Sequence, residues 1–244
     1  MPPLPGTPLT PPADISAALT VARDAGRQAS KEWFSNSVAT GVLDIPDFVR
    51  GRIADPPDAA TTRKELAQLH QIEAAQTPAE NATALYFRDH GGFGMWHQHL
   101  KEFAREAGPF KAIAAASDLY GAMGSNLVAT MEAKAQYGRD RPFLTDPTLK
   151  PVVGRPVEKS YPSGHASSAY AAATVLGHHW PERADEFGRL AEQVAYSRVY
   201  GGVHYPSDIV AGAFVGSAIG NIFVGEGAAG VGQAAAGAAT VVPA

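Results

Sequence analysis

Apolar residues recur at intervals of three and four along most of the chain, which is the spacing of one face of an α-helix. Leu66, Leu69 and Ile72 follow this spacing, and several later segments do the same. No run of β-branched residues alternates with polar residues over the length of a strand. The sequence therefore predicts an all-α protein whose helices pack as a bundle.

Capping residues and helix breakers predict where several helices begin and end. Thr62-x-x-Glu65 and Thr77-x-x-Glu80 have the form of capping boxes, so each is predicted to start a helix. A longer helix is predicted over residues 110–137, where a glycine then ends the pattern.

The two ends of the chain differ in composition from the rest. Residues 1–12 contain six prolines, which predicts an extended arm over 1–13. Glycine and alanine dominate the last stretch, which predicts a flexible tail over 225–244. The remaining residues, 14–224, are predicted to form one domain, a size that can bury a substantial core.

Composition and charge exclude several kinds of function. The chain has 244 residues, a formal net charge of −4 and no cysteine. This weak negative charge gives no field that favours nucleic acid or an anionic membrane. Without cysteine there is no disulfide framework, thiolate metal site or cysteine nucleophile. The most apolar run, residues 209–224, is short and interrupted by polar and glycine residues, so it predicts a buried helix rather than a membrane span.

Two cations occupy positions where the helical period calls for apolar side chains. On the long helix the predicted inward stripe reaches Lys134, and on the helix that Pro181 opens it reaches Arg198. A buried cation without a partner is costly, so each is predicted to face an anion unless it reaches water past its helix end. The apolar positions that lead to them are Ile113, Ala116, Tyr120, Met123, Leu127 and Met131 on the first helix, and Phe187, Ala191 and Val194 on the second.

The segment Ser163-Gly164-His165 has the features of an anion-binding helix start. Ser163 is a natural N-cap, and the first N–H groups of a helix bind anions with the help of the helix dipole. Gly164 would let an oxyanion approach the backbone closely, and His165 would stand at the rim. Taken alone, such a segment is most often only a capped helix.

A second histidine lies further along the chain with an acidic partner. His204 is followed by Asp208 at a spacing typical of an oriented imidazole, and Arg141 lies in the loop after the long helix. Small residues dominate the helices that follow His165 and Asp208, so we expect these helices to be central and the two histidines to share one pocket. Arg139 and Asp140 are predicted to form a structural or surface pair.

Three blocks of the chain together resemble the motif of the type 2 phosphatidic acid phosphatase superfamily, which includes bacterial class A non-specific acid phosphatases and vanadium haloperoxidases. Eleven positions match in order, and a motif of this length is far more specific than a short one. Residues 133–143 are similar to the soluble class A acid phosphatases in particular. The blocks are Lys134-x6-Arg141-Pro142, Pro162-Ser163-Gly164-His165 and Ser197-Arg198-x5-His204-x3-Asp208.

The resemblance implies a fold and a role for each residue of the blocks. The fold would be an all-α helical bundle of the acid phosphatase and vanadium haloperoxidase type. His204 would attack phosphorus, Asp208 would orient His204, and His165 would protonate the leaving oxygen and then activate water. No metal ion would be needed, because three cations would take its place. The groups that hold the phosphoryl oxygens would be Lys134, Arg141, Ser163, the Gly164 amide and Arg198.

Several alternatives remain open at this point. The same pocket could hold vanadate, as an inhibitor or as the cofactor of a haloperoxidase, and the substrate could be a lipid phosphate. A non-catalytic anion-binding protein is a further alternative, although simple binding would not require His165, His204 and Asp208. Lys159 and Ala166 stand where class A acid phosphatases usually have glycine and threonine, which leaves the substrate preference open.

The expected partner is a small phosphomonoester, with no nucleic acid and no integral membrane segment, and a homo-oligomer remains open. The resemblance implies a periplasmic or secreted protein. Residues 1–5 show neither the basic nor the apolar segment of a signal peptide, so a cytoplasmic location also stays open.

Overall fold

The computed structural model describes residues 4–40 and 44–225. Within these ranges the chain forms α-helices and no β-strand, which confirms the predicted all-α class. A single 3₁₀ turn at Pro181–Arg183 precedes α9. The helices are α1 (Ala13–Thr40), α2 (Ile45–Arg50), α3 (Ala59–Ala74), α4 (Pro78–His90), α5 (Gly94–Ala107), α6 (Pro109–Tyr137), α7 (Pro142–Thr145), α8 (Gly164–His179), α9 (Ala184–Tyr200) and α10 (Pro206–Phe223).

Two helices rich in small residues, α8 and α10, form the centre of the bundle, as predicted. α8 packs against α6, α9 and α10, and α10 also packs against α1 and α6. Gly216 permits the close approach, because a Cβ there would lie 2.1 Å from the carbonyl oxygen of Ser167 in α8. Gly212 and Gly220 meet earlier and later parts of α8, so α8 and α10 run parallel and begin at the same end.

The prediction of which face of α6 is buried was wrong. The stripe assigned to the core is largely exposed, with Ile113 at 67%, Leu127 at 59% and Met131 at 62% exposure. The buried face instead consists mainly of alanine, because small side chains let α6 approach α8 and α10 closely. Its members are Ala115, Leu119, Ala122, Asn126, Ala129, Thr130 and Ala133.

The helix starts agree with the sequence in one capping box and differ in the other. Thr77 caps α4 and accepts a hydrogen bond from the Glu80 N–H at 3.3 Å, as predicted. α3 begins earlier than expected, because Asp58 is its N-cap and accepts from the backbone at 2.7 Å. Glu65 is therefore not part of a capping box, and its buried carboxylate makes long-range contacts instead.

The ends of the chain are described only in part. Residues 4–12 form no helix, yet Leu9 is buried and the Thr7 carbonyl oxygen accepts a hydrogen bond from Thr83 at 2.8 Å. The predicted tail lies outside the described residues except for its first residue, Gly225. Across 4–40 and 44–225, none of the helices combines the length and apolar character that a membrane crossing requires.

Candidate active site

The motif residues converge on one end of the central bundle. Lys134 and Arg198 lie in the last turns of α6 and α9, whereas His165 and Asp208 lie in the first turns of α8 and α10. The two helix starts are joined by a hydrogen bond of 2.9 Å from the Ser163 N–H to the Asp208 carbonyl oxygen. The positive ends of two helix dipoles therefore point to the same place as the cations.

His204 and Asp208 form a buried, oriented pair. His204 is 2% exposed and Asp208 is fully buried. The His204 Nδ1 atom lies 3.0 Å from Asp208 Oδ2, which also accepts hydrogen bonds from the Tyr205 N–H at 2.9 Å and from the Ser160 hydroxyl. The carboxylate is thus held by three donors on one oxygen, which fixes the plane of the imidazole.

Arg141 reaches the other nitrogen of the same ring. Its Nη1 atom donates to His204 Nε2 at 2.8 Å and to the Val203 carbonyl at 2.8 Å, while its Nε donates to the Glu158 carbonyl at 2.8 Å. Because a guanidinium can only donate, Nε2 of His204 accepts and Nδ1 carries the proton. Burial, followed by the charges of Arg141 and Lys134, holds the pKa of His204 well below its usual value. The neutral ring therefore keeps a lone pair on Nε2.

Arg198 is a buried cation, and two of its three nitrogens lack hydrogen-bond partners among the described residues. It is 2% exposed, and its Nε and Nη1 atoms have no hydrogen-bond partner in the described part of the chain. Burial, together with the nearby charges of Arg141 and Arg88, lowers its pKa to about 9. The side chain does not reach water past the end of α9, so the alternative of an exposed helix-end cation does not apply to it.

Lys134 is only half-buried, and it contacts the loop before α8. Its ammonium group donates to the carbonyl oxygens of Lys159 and Ser160, the second at 3.2 Å. Burial and the charge of Arg141 lower the pKa of Lys134 to about 7. This lysine thus changes charge near neutrality.

The start of α8 has the predicted cap. Ser163 is fully buried, and its hydroxyl accepts a hydrogen bond from the Ala166 N–H at 3.4 Å. His165 Nε2 lies 3.0 Å from the Arg88 carbonyl oxygen at the end of α4. Burial and the charge of Arg198 lower the pKa of His165 to about 4. The cations Arg198, Arg141 and Lys134 depress the pKa of both His165 and His204, which places the two histidines beside one group of positive charges.

The predicted pair of Arg139 and Asp140 is wrong. Asp140 contacts Lys159 at 2.7 Å on the surface, whereas Arg139 turns inward and contacts Asp208 at 2.7 Å. Arg139 also contacts Glu65 at 2.8 Å. Sequence reasoning missed Arg139 and Glu65 as site residues, because their contacts join segments that are distant along the chain and no local spacing indicates these contacts.

Comparison with known proteins shows which family the residues of the site resemble. Residues 115–225 match the sequence model of the PAP2 superfamily. A non-specific acid phosphatase of Salmonella typhi is 41% identical over 93 residues, which cover 36% of this chain and 37% of the relative. An undecaprenyl-diphosphatase of Sulfolobus acidocaldarius is 43% identical over 81 residues, which cover 32% of this chain and 38% of the relative. The chain thus aligns with little more than a third of the length of these two curated relatives.

Solved structures share the fold. A bacterial vanadium-dependent iodoperoxidase superposes with a TM-score of 0.64 at 22% identity, over 72% of this chain and 53% of that one. A transmembrane PAP2-type phosphatidylglycerolphosphate phosphatase from Bacillus subtilis superposes with a TM-score of 0.54 at 20% identity, over 74% of this chain and 90% of that one. The bundle of the acid phosphatase and haloperoxidase type, expected from the motif, is confirmed. Residues 115–225, the part of the chain that matches the PAP2 superfamily model, contain all three motif blocks.

Proposed function

We propose that the protein hydrolyses phosphate monoesters through a phosphohistidine on His204. The observation that carries this proposal is the juxtaposition of a nucleophile and an anion site. His204 offers a lone pair on Nε2, and Arg198 offers two buried N–H-bearing nitrogens that no other described group uses. Phosphoryl transfer requires little beyond such positioning and fixed positive charge.

In the first step the Nε2 lone pair of His204 forms a bond to phosphorus as the bond to the leaving oxygen breaks. Arg198, Lys134 and Arg141 hold the phosphoryl oxygens, and Arg141 exchanges its contact with Nε2 for one with an oxygen. Asp208 stabilises the positive charge that develops on the His204 ring through its contact with Nδ1. The positive charge comes from side chains, so the proposal assigns no step to a metal ion.

His165 exchanges protons with the leaving group and with water. Because the Arg88 carbonyl can only accept, the Nε2 of His165 carries a hydrogen and Nδ1 is the nitrogen available for transfer. Protonated His165 gives its proton to the leaving oxygen in the first step. In the second step His165 removes a proton from the water that attacks phosphorus. The bond between phosphorus and His204 then breaks, and Nε2 of His204 regains its lone pair.

The pKa values of His165 and Lys134 favour activity at acidic pH. The pKa of His165 is about 4 and that of Lys134 about 7, so both become cationic as the pH falls. The negative charge of a bound phosphate offsets the repulsion from Arg198 and helps His165 to hold its proton. Together with the named acid phosphatase relatives, this supports an acid phosphatase. The same resemblance carries the expectation of a periplasmic or secreted protein.

The test is to trap the phosphoenzyme. Brief incubation with a ³²P-labelled monoester, followed by acid or base treatment, should give an acid-labile and base-stable label on the protein. The label and the hydrolysis should disappear in His204→Ala and persist in the control His178→Ala, which changes an exposed histidine at the far end of α8. Hydrolysis that survives His204→Ala would refute the mechanism, and loss of activity with EDTA would refute the assignment of charge to side chains.

The same experiment should also test for haloperoxidase activity and for hydrolysis of lipid phosphates. The buried donors of Arg198 and the cations beside it would fit vanadate as well as phosphate, and the fold is shared with an iodoperoxidase. Bromide or iodide oxidation with peroxide and vanadate, without ester hydrolysis, would decide for a haloperoxidase. Some relatives are named as phosphatases of polyprenyl compounds. Hydrolysis of lipid phosphates but not of water-soluble esters would decide for a lipid phosphate phosphatase.

A further inference from the structure

Arg139 and Glu65 lie directly behind the His204–Asp208 pair, and neither is one of the eleven motif positions, although Arg139 lies within the segment 133–143 that resembles class A acid phosphatases. Both side chains are 9% exposed, so each charge is almost completely removed from water. Arg139 follows the end of α6, and Glu65 comes from the middle of α3. An arginine and a glutamate that are this deeply buried need a specific arrangement of partners to be tolerated.

The contacts of Arg139 form a bridge between Asp208 and Glu65. Its Nη1 atom lies 2.7 Å from Asp208 Oδ1 and 2.7 Å from the Ser207 hydroxyl, and its Nη2 atom lies 2.8 Å from Glu65 Oε2. The guanidinium also stacks on the ring of Tyr205, with Cζ 3.8 Å from the ring centroid. Ion pairs with Asp208 and Glu65 therefore hold the two ends of the guanidinium, and the Tyr205 ring supports its face. The hydrogen bonds of Arg139 reach Asp208 and not His204.

Glu65 fixes the far end of this bridge. While Oε2 accepts from Arg139, Oε1 accepts a hydrogen bond from the Ser207 N–H at 2.7 Å. Ser207 is next to Asp208 in the first turn of α10. One carboxylate of α3 thus holds both the arginine and the backbone that carries Asp208, and charges alternate in sign along the row from Glu65 through Arg139 to Asp208.

The row of charges bears on the protonation of the His204–Asp208 pair. Burial raises the pKa of Asp208, and Arg139 is the strongest of the groups that oppose this rise. A protonated Asp208 would no longer accept from Nδ1 of His204 as a carboxylate, and the ring would lose its fixed tautomer. The negative charge of Glu65 acts in the opposite sense to Arg139 on the pKa of Asp208.

We propose that Arg139, held in place by Glu65, is a positioning residue that keeps Asp208 ionised and thereby keeps the Nε2 lone pair of His204 directed at phosphorus. The inference rests on the proposed phosphohistidine mechanism and adds two residues to it. Arg139 acts through Asp208 and not on the substrate, because its own hydrogen bonds are all made behind the pair.

Other charged groups also face the pair and must stay unchanged in the test. Arg141, from the link before α7, and Lys134, from α6, act on both Asp208 and His204. Arg198 from α9 and His165 from α8 act on His204. Because none of these is altered when Arg139 or Glu65 is substituted, a change in pH dependence reports the row of charges behind Asp208.

Arg139→Gln and Glu65→Gln should shift the acidic limb of the kcat/KM profile in opposite directions. Loss of the positive charge lets the His204–Asp208 pair take up a proton at higher pH, so the acidic limb in Arg139→Gln moves to higher pH. In Glu65→Gln the amide oxygen can still accept from Arg139 and hold it in place, while the negative charge that raises the pKa of Asp208 is lost, so the limb moves to lower pH. Arg105→Gln, which changes an exposed arginine of α5, is the matched control and should leave the limb in place.

The split between kcat and binding provides a second readout. In Arg139→Gln, kcat should fall about 10- to 100-fold, by analogy with the loss of outer-shell partners of metal-bound histidines, because Arg139 orients His204 through Asp208. The inhibition constant of inorganic phosphate should stay unchanged, because Arg139 contacts none of the residues proposed to hold the phosphoryl oxygens. Arg139→Lys, which keeps the charge, should recover part of kcat and return the acidic limb towards its original position.

Shifts of the limb in the same direction for both glutamine variants, or a parallel loss of phosphate binding and kcat, would overturn the proposal. If Arg139→Gln does not fold, Arg139→Lys and Glu65→Gln carry the test, and an unmoved limb in Glu65→Gln then overturns it. Failure of the proposed function has a different signature, because the wild-type protein itself would then hydrolyse no ester and form no phosphohistidine.

Discussion

Arg198→Met removes a buried positive charge and replaces it with an apolar side chain of similar length. Burial and neighbouring cations lower the pKa of Arg198 from an ordinary 12.5 to about 9. At about 1.4 kcal/mol for each pKa unit, the folded state is penalised by up to about 5 kcal/mol for keeping this charge. Replacement of buried ion pairs by apolar residues is often neutral or stabilising by about 1–4 kcal/mol, so we expect Arg198→Met to stabilise the phosphate-free protein by about 2 kcal/mol.

The free energy of unfolding, measured by urea titration followed by circular dichroism, should therefore rise in phosphate-free buffer. The corresponding increase in Tm is about 4–8 °C for a chain of this size. Inorganic phosphate should reverse the order of the two proteins. It should stabilise the wild type by about 2.7 kcal/mol at a concentration of 100 times its Kd, and it should have little effect on Arg198→Met.

A matched variant separates this effect from a general benefit of removing arginine. Arg183 is half-buried and contacts Glu102 at 3.2 Å and Glu186 as well. Arg183→Met leaves two carboxylates without this partner, so it should lower the free energy of unfolding in either buffer. A lower stability of Arg198→Met than of the wild type without phosphate would refute the penalty for the buried charge, and equal stabilisation of both proteins by phosphate would refute the role of Arg198 in binding.

Three further predictions concern binding and packing. The affinity for sulfate, a phosphate analogue whose own charge does not change near neutrality, should fall as the pH rises through about 7, where Lys134 loses its charge, and this step should be absent from binding titrations of Lys134→Met. Gly216→Ala should lower the free energy of unfolding by about 2 kcal/mol or more, because its Cβ would meet a backbone oxygen at 2.1 Å, whereas Gly124→Ala, with open space around it, should raise it by up to about 1 kcal/mol. Leu119→Ala should cost about 2–5 kcal/mol in the same unfolding assay, because Leu119 is fully buried, whereas Leu127→Ala should cost less than about 1 kcal/mol.

Each of these has a result that would contradict it. A pH step of equal size in Lys134→Met would mean that another group titrates. Equal effects of the two glycine substitutions would contradict the close contact of α8 and α10. Equal costs of the two leucine substitutions would contradict the assignment of the alanine face of α6 to the core.

Local features of the sequence determined the boundaries of many elements. Proline and glycine bracket α6, and the serine before α8 caps it, because these residues act through their own backbone geometry or their nearest N–H groups. The spacing of His204 and Asp208 likewise determined their pairing, since His204 lies just before α10 and Asp208 lies in its first turn. Such contacts depend only on residues a few positions apart.

The face of α6 that is buried could not be obtained in this way. Large apolar residues and alanines both recur with a helical period on this helix, so the hydrophobic pattern marks two faces and favours the wrong one. Contact with the small-residue helices α8 and α10 decides between them, because alanine permits a closer approach of the helix axes than leucine or tyrosine does.

The charges behind the His204–Asp208 pair were also decided by tertiary structure alone. Arg139 has an acidic neighbour in Asp140, and a local reading pairs the two. The fold instead brings α3 and α10 to either side of Arg139, where two buried carboxylates outcompete an exposed one, because Coulomb attraction is stronger away from water. The sequence alone determined which residues carry the motif, and the packing of distant helices determined which groups hold them in place.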